Sequence, residues 1–190
     1  MLQTLNRQFL TDIECDSLVA HFTRMIFVVN NSENVNSEYN GRLLNAFECE
    51  SHVKDFLYRK SIDLGSIISK IYGVESIYPE TIHLVKWDKG HSLGTHADNV
   101  WIGSNEPHYS PDRNFSATFI LNDEFEGGEF YFQEGEKQIT YPVRRGWGNV
   151  FGAGPEYAHG VTEVTSGTRY TLAIWYTSNY QKSVYKTITY

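Results

Sequence analysis

Between Thr11 and Phe22 the apolar positions Cys15, Leu18, Val19 and Phe22 recur at the spacing of a single helix face. Thr11 stands where a helix is capped, and Glu14, three residues on, completes a capping box. The apolar run Met25–Val29 reads as a short strand, and the polar stretch from Asn30 to Asn40 as an exposed loop. From Ser51 to Ile71, the positions of Val53, Phe56, Leu57, Ile62, Ile67, Ile68 and Ile71 predict one long helix or two, interrupted near Gly65. Gly73 supplies the stop.

After Glu75 the period shortens. Eight β-type runs follow: Thr81–Trp87, Ser92–Asp98, Phe115–Asn122, Glu129–Gln133, Gln138–Tyr141, Gly148–Gly152, Ala158–Val164 and Arg169–Tyr176. Turn signals at Asp88-Lys89-Gly90, Gly127-Gly128, Glu134-Gly135, Arg145-Gly146 and Ser166-Gly167 separate them. Many short strands after a helical start predict a mainly β fold, a sandwich or jelly roll backed by N-terminal helices. The acidic stretch from Asp123 to Glu136 reads as a solvated turn region. One connection, Asn99 to Asn114, is long for a compact domain, and such loops commonly cover a site.

The organisation expected is one domain over residues 1–190: helical and mixed support over 1–74, a jelly-roll core over 75–178 and a tail over 179–190. No apolar run approaches the roughly 20 residues that a bilayer span needs, and no secretory signal is visible. Two cysteines, Cys15 and Cys49, do not make a disulfide framework or a four-thiolate zinc site. They read as buried thiols of a cytoplasmic protein. A net charge of -7 disfavours nucleic acid as a partner. Aromatics at 15% agree with β structure.

His96 and Asp98 stand two apart in a β-type run, so alternation puts both on one face within reach of one metal ion. Alone this pair is a weak signal, since chance readily supplies one in a chain with 7 His and 23 acidic residues. His159 opens the seventh β run and Arg169 the last. On that last strand Arg169, Thr171, Ala173 and Trp175 share one face; Tyr170, Leu172, Ile174 and Tyr176 share the other. The bulky face suits packing on helices. The opposite face, with small residues and an arginine, suits the wall of a cavity, and a buried guanidinium there requires an anion, for which its planar fork matches a carboxylate. Pairing with a neighbouring Asp or Glu is the alternative. Two histidines and one carboxylate are the donor set of non-haem Fe(II) oxygenases.

The stretches VKWDKGHSLGTHADN (85–99), RNFSATFILNDEFEGGEFYF (113–132) and HGVTEVTSGTRYTLAIW (159–175) give the chain a specific likeness. It resembles the prolyl 4-hydroxylase branch of the Fe(II)/2-oxoglutarate dioxygenases. The resemblance implies a double-stranded β-helix, the jelly-roll or cupin-like core. It makes His96, Asp98 and His159 the iron ligands and Arg169 the residue that binds the distal carboxylate of 2-oxoglutarate. Trp87 falls where the family often has a co-substrate tyrosine, and its indole offers only an N–H donor. Ser116 matches a small hydroxyl position lining the same pocket and Trp175 a pocket aromatic, while Ile120 falls where some relatives carry a second tyrosine.

Other histidines are read as bland: His91 as a solvated turn residue, His83 as packed in its strand, His21 and His52 as helical and His108 as a surface residue of the long loop. Gly127-Gly128 is a turn, because no helix follows it to make a phosphate cradle.

The implied activity is hydroxylation of a substrate C–H bond with Fe(II), 2-oxoglutarate and O2, giving succinate and CO2. The branch points to a prolyl residue in a peptide or protein, with no membrane partner. The alternatives are a hydroxylase of a free amino acid or other small molecule, a cupin-type isomerase and a non-catalytic jelly-roll binding module. Asp98, where a cupin-like site usually has a second histidine, counts against the isomerase, and it also argues against halogenation. Two segments are expected as lids, Asn30–Ala46 with Tyr39 and Arg42, and Asp98–Asn114 with Trp101 and Tyr109. The oligomeric state is not legible.

Overall fold

The computed structural model describes residues 4–29 and 42–184. Eleven strands and two α-helices run in the order β1 (Leu5–Gln8), α1 (Asp12–Val29), β2 (Arg42–Asn45), α2 (Ser51–Tyr72), β3 (Tyr78–Asp88), β4 (Leu93–His96), β5 (Arg113–Ile120), β6 (Phe125–Gly127), β7 (Phe130–Glu134), β8 (Lys137–Thr140), β9 (Trp147–Gly152), β10 (His159–Val161) and β11 (Val164–Thr177). Every strand pairing is antiparallel. The large sheet has the order β1-β9-β5-β11-β3-β2, with β6 on the end of β11, and the small sheet the order β4-β10-β7-β8. Two antiparallel sheets backed by helices make the expected mainly β jelly roll.

The capping box forms as read: the Thr11 N–H donates to Glu14 Oε2 at 2.8 Å and the Glu14 N–H to Thr11 Oγ1 at 3.3 Å. The helix then runs further than its pattern suggested. Met25–Val29 is the end of α1 and not a strand. Nothing between Phe22 and Met25 breaks a helix, and extending one already nucleated is easier than starting a new element. In the same way α2 passes through Gly65 without interruption. A glycine inside a helix costs only about 1 kcal/mol, and here it admits a neighbour, since a Cβ at Gly65 would lie 3.4 Å from the Tyr176 ring. Gly73, with φ of 68°, closes α2.

Three strands carry no strong sequence signal: β1, β2 and β6. Each is short and is held by a longer partner, β9, β3 and β11 respectively. The stretch expected as a solvated turn region therefore contributes all of β6 and β7, with Phe130, Tyr131 and Phe132 buried. Its acidic side chains are all exposed.

The apolar interior has two parts. One lies between the helices and the outer face of the large sheet, and includes Leu18, Phe22, Leu57, Ile68, Leu84, Phe119, Leu172, Ile174 and Tyr176. The other lies between the two sheets and includes Val85, Trp87, Phe130, Phe132, Phe151, Val161 and Val164. The candidate chemistry sits in the second.

Candidate metal centre and anion pocket

The ladder of the small sheet brings the two distant histidines together: His159 of β10 pairs with His96 of β4. Asp98 lies past the end of β4, where its backbone N–H leaves the ladder and donates to Ala153 O at 3.0 Å. Its carboxylate stands between the imidazoles, with Oδ1 3.6 Å from His96 Nε2 and Oδ2 3.6 Å from His159 Nε2. The three donor atoms all lie within 4.8 Å of one another. Adjacent donors of a six-coordinate ion with bonds of about 2.1 Å are about 3 Å apart, so a small inward shift closes the set.

The donor states suit a cation. Nδ1 of His96 faces Gly94 O and Nδ1 of His159 faces Tyr157 O, each at 2.9 Å. A carbonyl only accepts, so each Nδ1 carries the proton, and in the neutral ring it is Nε2 that presents the lone pair. Burial pushes the His159 imidazole down to about 4, against the pull of Asp98, which keeps it neutral. Burial also acts to raise the Asp98 carboxyl, but His96, His159 and Ser116 outweigh it and hold it ionised, well below the usual carboxylate range. The Ser116 hydroxyl donates to Asp98 Oδ2 at 2.6 Å. Ser116 thus grips the carboxylate of the cluster, where the resemblance made it a lining residue of the co-substrate pocket.

From this cluster a cavity extends between the sheets, lined by Val85, Trp87, Leu93, Thr118, Phe130, Val161 and the β11 residues Arg169, Thr171, Ala173 and Trp175. The four β11 residues are the predicted cavity face. Strand register sets the direction of the cavity. Ser116, the partner of Asp98, pairs with Trp175, and Arg169 lies six residues back along β11. The carboxylate-imidazole cluster and the guanidinium therefore stand at opposite ends.

Arg169 is 0% exposed, and its Nε, Nη1 and Nη2 have no hydrogen-bond partner among the described residues. Among the described residues no Asp or Glu neutralises it, which counts against the alternative of an internal ion pair. Burial pushes it down to about 9, still protonated at neutral pH. Gly128, with φ of 60°, clears the space for its stem: a Cβ there would come within 2.9 Å of Arg169 Cδ. A buried cation with unspent donors is costly by itself, and a carboxylate from outside the chain satisfies it.

The comparisons follow the geometry. The family described as the 2OG-Fe(II) oxygenase superfamily matches residues 82–177, from β3 to the last residue of β11. The chain belongs to this superfamily. Its members take Fe(II) and 2-oxoglutarate, and the two ends of the cavity fit them: a His-Asp-His donor set for iron and an unpaired guanidinium for a dicarboxylate. Human prolyl 3-hydroxylase 2 is 38% identical over 91 residues, which are 43% of this chain and 13% of that protein. The chain thus spans a small part of the curated relatives it matches. Among solved structures, the viral collagen prolyl hydroxylase of Paramecium Bursaria Chlorella virus-1, solved with 2OG, superposes with a TM-score of 0.67 at 19% identity, covering 92% of this chain and 94% of that one. A Pseudomonas putida prolyl-4-hydroxylase gives 0.69 at 16% identity, with 93% of each chain covered. These likenesses are of fold, and they bear out the expected resemblance to prolyl hydroxylases.

The remaining expected residues fall as follows. Trp87 and Trp175 line the cavity of the oxygenase, but the Trp87 N–H is already given to Thr171 Oγ1 at 3.1 Å. Ile120 is buried away from this cavity. His91 is not merely solvated, because its Nδ1 accepts from the Asp88 N–H at 2.9 Å and ties the β3–β4 turn. His108 is 7% exposed and not a surface residue; it packs against Trp101 and Tyr109 with ring centroids 4.5 and 4.2 Å away. Of the first expected lid, residues 30–41 lie outside the described residues, and Arg42 to Asn45 form β2 in the large sheet. Ala46, at the end of that segment, is buried in the main core.

Sequence reasoning set Thr171 on the cavity face without giving it a role, and passed over Thr118, Glu80 and Arg113. Thr118 was accessible by alternation from Ser116. Arg113 stacks on Trp175 at 4.5 Å and donates to Glu80 at 3.1 Å, a pairing across 33 residues that carries no local signal.

Proposed function

We propose that the chain hydroxylates a prolyl residue of a peptide or protein, with His96, Asp98 and His159 holding Fe(II) and Arg169 binding the distal carboxylate of 2-oxoglutarate. The observation that carries this reading is the buried guanidinium, without a partner among the described residues, at one end of a cavity whose other end is an imidazole and carboxylate cluster. When bound, iron with 2-oxoglutarate and O2 supplies the oxidant for a C–H bond, with succinate and CO2 as co-products. The residues supply the rest. His96 and His159 offer Nε2 lone pairs fixed by backbone carbonyls, Ser116 fixes the rotation of Asp98, and Arg169 orients the co-substrate along the cavity. Val85, Leu93, Phe130 and Val161 keep water from the walls.

Prolyl hydroxylase relatives support the substrate class, and they differ in ring position: human prolyl 3-hydroxylase 2 on one side, the Pseudomonas putida prolyl-4-hydroxylase on the other. A net charge of -7 supports a substrate other than nucleic acid. Two buried free thiols, Cys15 and Cys49, support a cytoplasmic setting. Residues 75–178 are read as the catalytic core, with 1–74 as its support.

The test uses the purified chain with Fe(II), 2-oxoglutarate and a panel of proline-containing peptides. The expected result is succinate formation coupled to a mass gain of one oxygen on a peptide, with NMR of the product giving the ring position. Coupled turnover of a free amino acid and of no peptide would overturn the substrate class. In parallel, His159→Ala should lose most of the bound manganese, and full occupancy at low metal would remove His159 from the ligand set.

A further inference from the structure

The anion end of the cavity contains a second unspent donor. Thr171 is 2% exposed, lies on the cavity face of β11 two residues from Arg169, and receives the Trp87 Nε1–H on its oxygen at 3.1 Å. That indole donation uses the hydroxyl as an acceptor. The Thr171 O–H proton itself has no acceptor among the described residues. Trp87 is also the cross-strand partner of Arg169, and its ring lies 5.3 Å below the guanidinium carbon.

We propose that Trp87 is a positioning residue for co-substrate binding. Its N–H pins the Thr171 hydroxyl from behind, so that the hydroxyl proton and the Arg169 fork are presented to the same carboxylate. The inference rests on the reading of the site given above and adds to it a role for an indole that itself has no donor left for the ligand.

The physical argument is one of direction. A threonine hydroxyl rotates and can donate or accept. With an N–H fixed on one lone pair, its proton is turned away from the indole and into the cavity. Together with Arg169, which has only donors, this makes the end of the pocket favour a fully ionised carboxylate over a neutral amide, whose NH2 would bring donors against donors. The cation–π contact holds the guanidinium plane while the pocket waits for its anion.

The experiment measures the affinity for 2-oxoglutarate by calorimetry on the manganese-loaded protein without oxygen, so that no turnover occurs. Thr171→Val should weaken binding about tenfold or more, the loss of a charge-assisted hydrogen bond. Trp87→Phe, which keeps a ring under Arg169, should weaken it about three- to tenfold. The deciding measurement is the double variant. If Trp87 acts through Thr171, the double variant binds within about twofold of Thr171→Val alone. Thr171→Ser should restore both the affinity and the sensitivity to Trp87→Phe, which a merely structural role would not produce. Manganese affinity, unchanged in every variant, reports that the fold is intact. Losses that multiply in the double variant, or wild-type affinity in Trp87→Phe, overturn this inference alone. A wild-type protein that binds manganese and no 2-oxoglutarate overturns the reading of the site as well.

Discussion

The two faces of β11 are both turned inward and solve opposite problems. Tyr170, Leu172, Ile174 and Tyr176 meet the helices; the Tyr176 hydroxyl donates to Ser61 O at 3.0 Å, and Phe22 packs edge-on to Tyr170. Arg169, Thr171, Ala173 and Trp175 meet the cavity, where Arg169 and the Trp175 Nε1–H have no partner among the described residues. One face contributes stability by matching every group it buries. The other gives some of that stability up and holds donors ready for a ligand. One strand does both because its side chains alternate every residue while its backbone stays in one ladder.

The comparison breaks hardest at Ile174. Ile174→Ala should lower unfolding stability by about 2–5 kcal/mol in chemical denaturation. The melting temperature should fall about 2–4 °C for each of those kcal/mol, and 2-oxoglutarate should still raise it. Two residues before Thr171, on the opposite face, lies the contrasting case. Arg169→Met should leave the ligand-free protein as stable as the wild type or more so, by up to about 4 kcal/mol, because it removes a buried charge with no counter-ion. The same variant should lose the rise in melting temperature that 2-oxoglutarate gives the manganese-loaded wild type. A large loss of stability in ligand-free Arg169→Met would make the arginine structural.

His83 sharpens the contrast through pH. It pairs with Ala173, packs on Trp175, and has an Nδ1 without a partner among the described residues. Burial, with Arg113 adding to it, pushes its imidazole down to about 4 from 6.5. The folded state therefore binds this proton more weakly than the unfolded chain. Its contribution to stability is whole above pH 6.5 and is lost as pH falls toward 4, by up to about 3 kcal/mol. His83→Phe should flatten that part of the stability profile relative to wild type. The smallest effect belongs to the helical side: Thr11→Ala removes one half of the capping box and should cost about 1 kcal/mol, with the response to 2-oxoglutarate unchanged.

Much of this was legible locally. The Thr11–Glu14 box, the stop at Gly73 and the two faces of β11 each depend on residues a few positions apart, and each formed as read. His96, Asp98, His159 and Arg169 were legible in a different way, through motifs whose spacing matches a family. What was misread depended on distant partners. Met25–Val29 has a strand's composition but stays in the helix already begun. His108 reads as surface until Trp101 and Tyr109 fold over it.

The sequence by itself determined the mainly β plan, the helical backing and the face on which an anion would be met. These follow from period, capping and residue type, which are properties of neighbours along the chain. Only the tertiary structure decided how the donors are spent. Ser116 went to Asp98, the Trp87 N–H went to Thr171, and Arg169 went to nothing within the described chain. Those pairings join residues 18 and 84 positions apart. They are fixed by the register of β5 and β3 on β11, and register is set by the packing of whole faces, which no local pattern encodes.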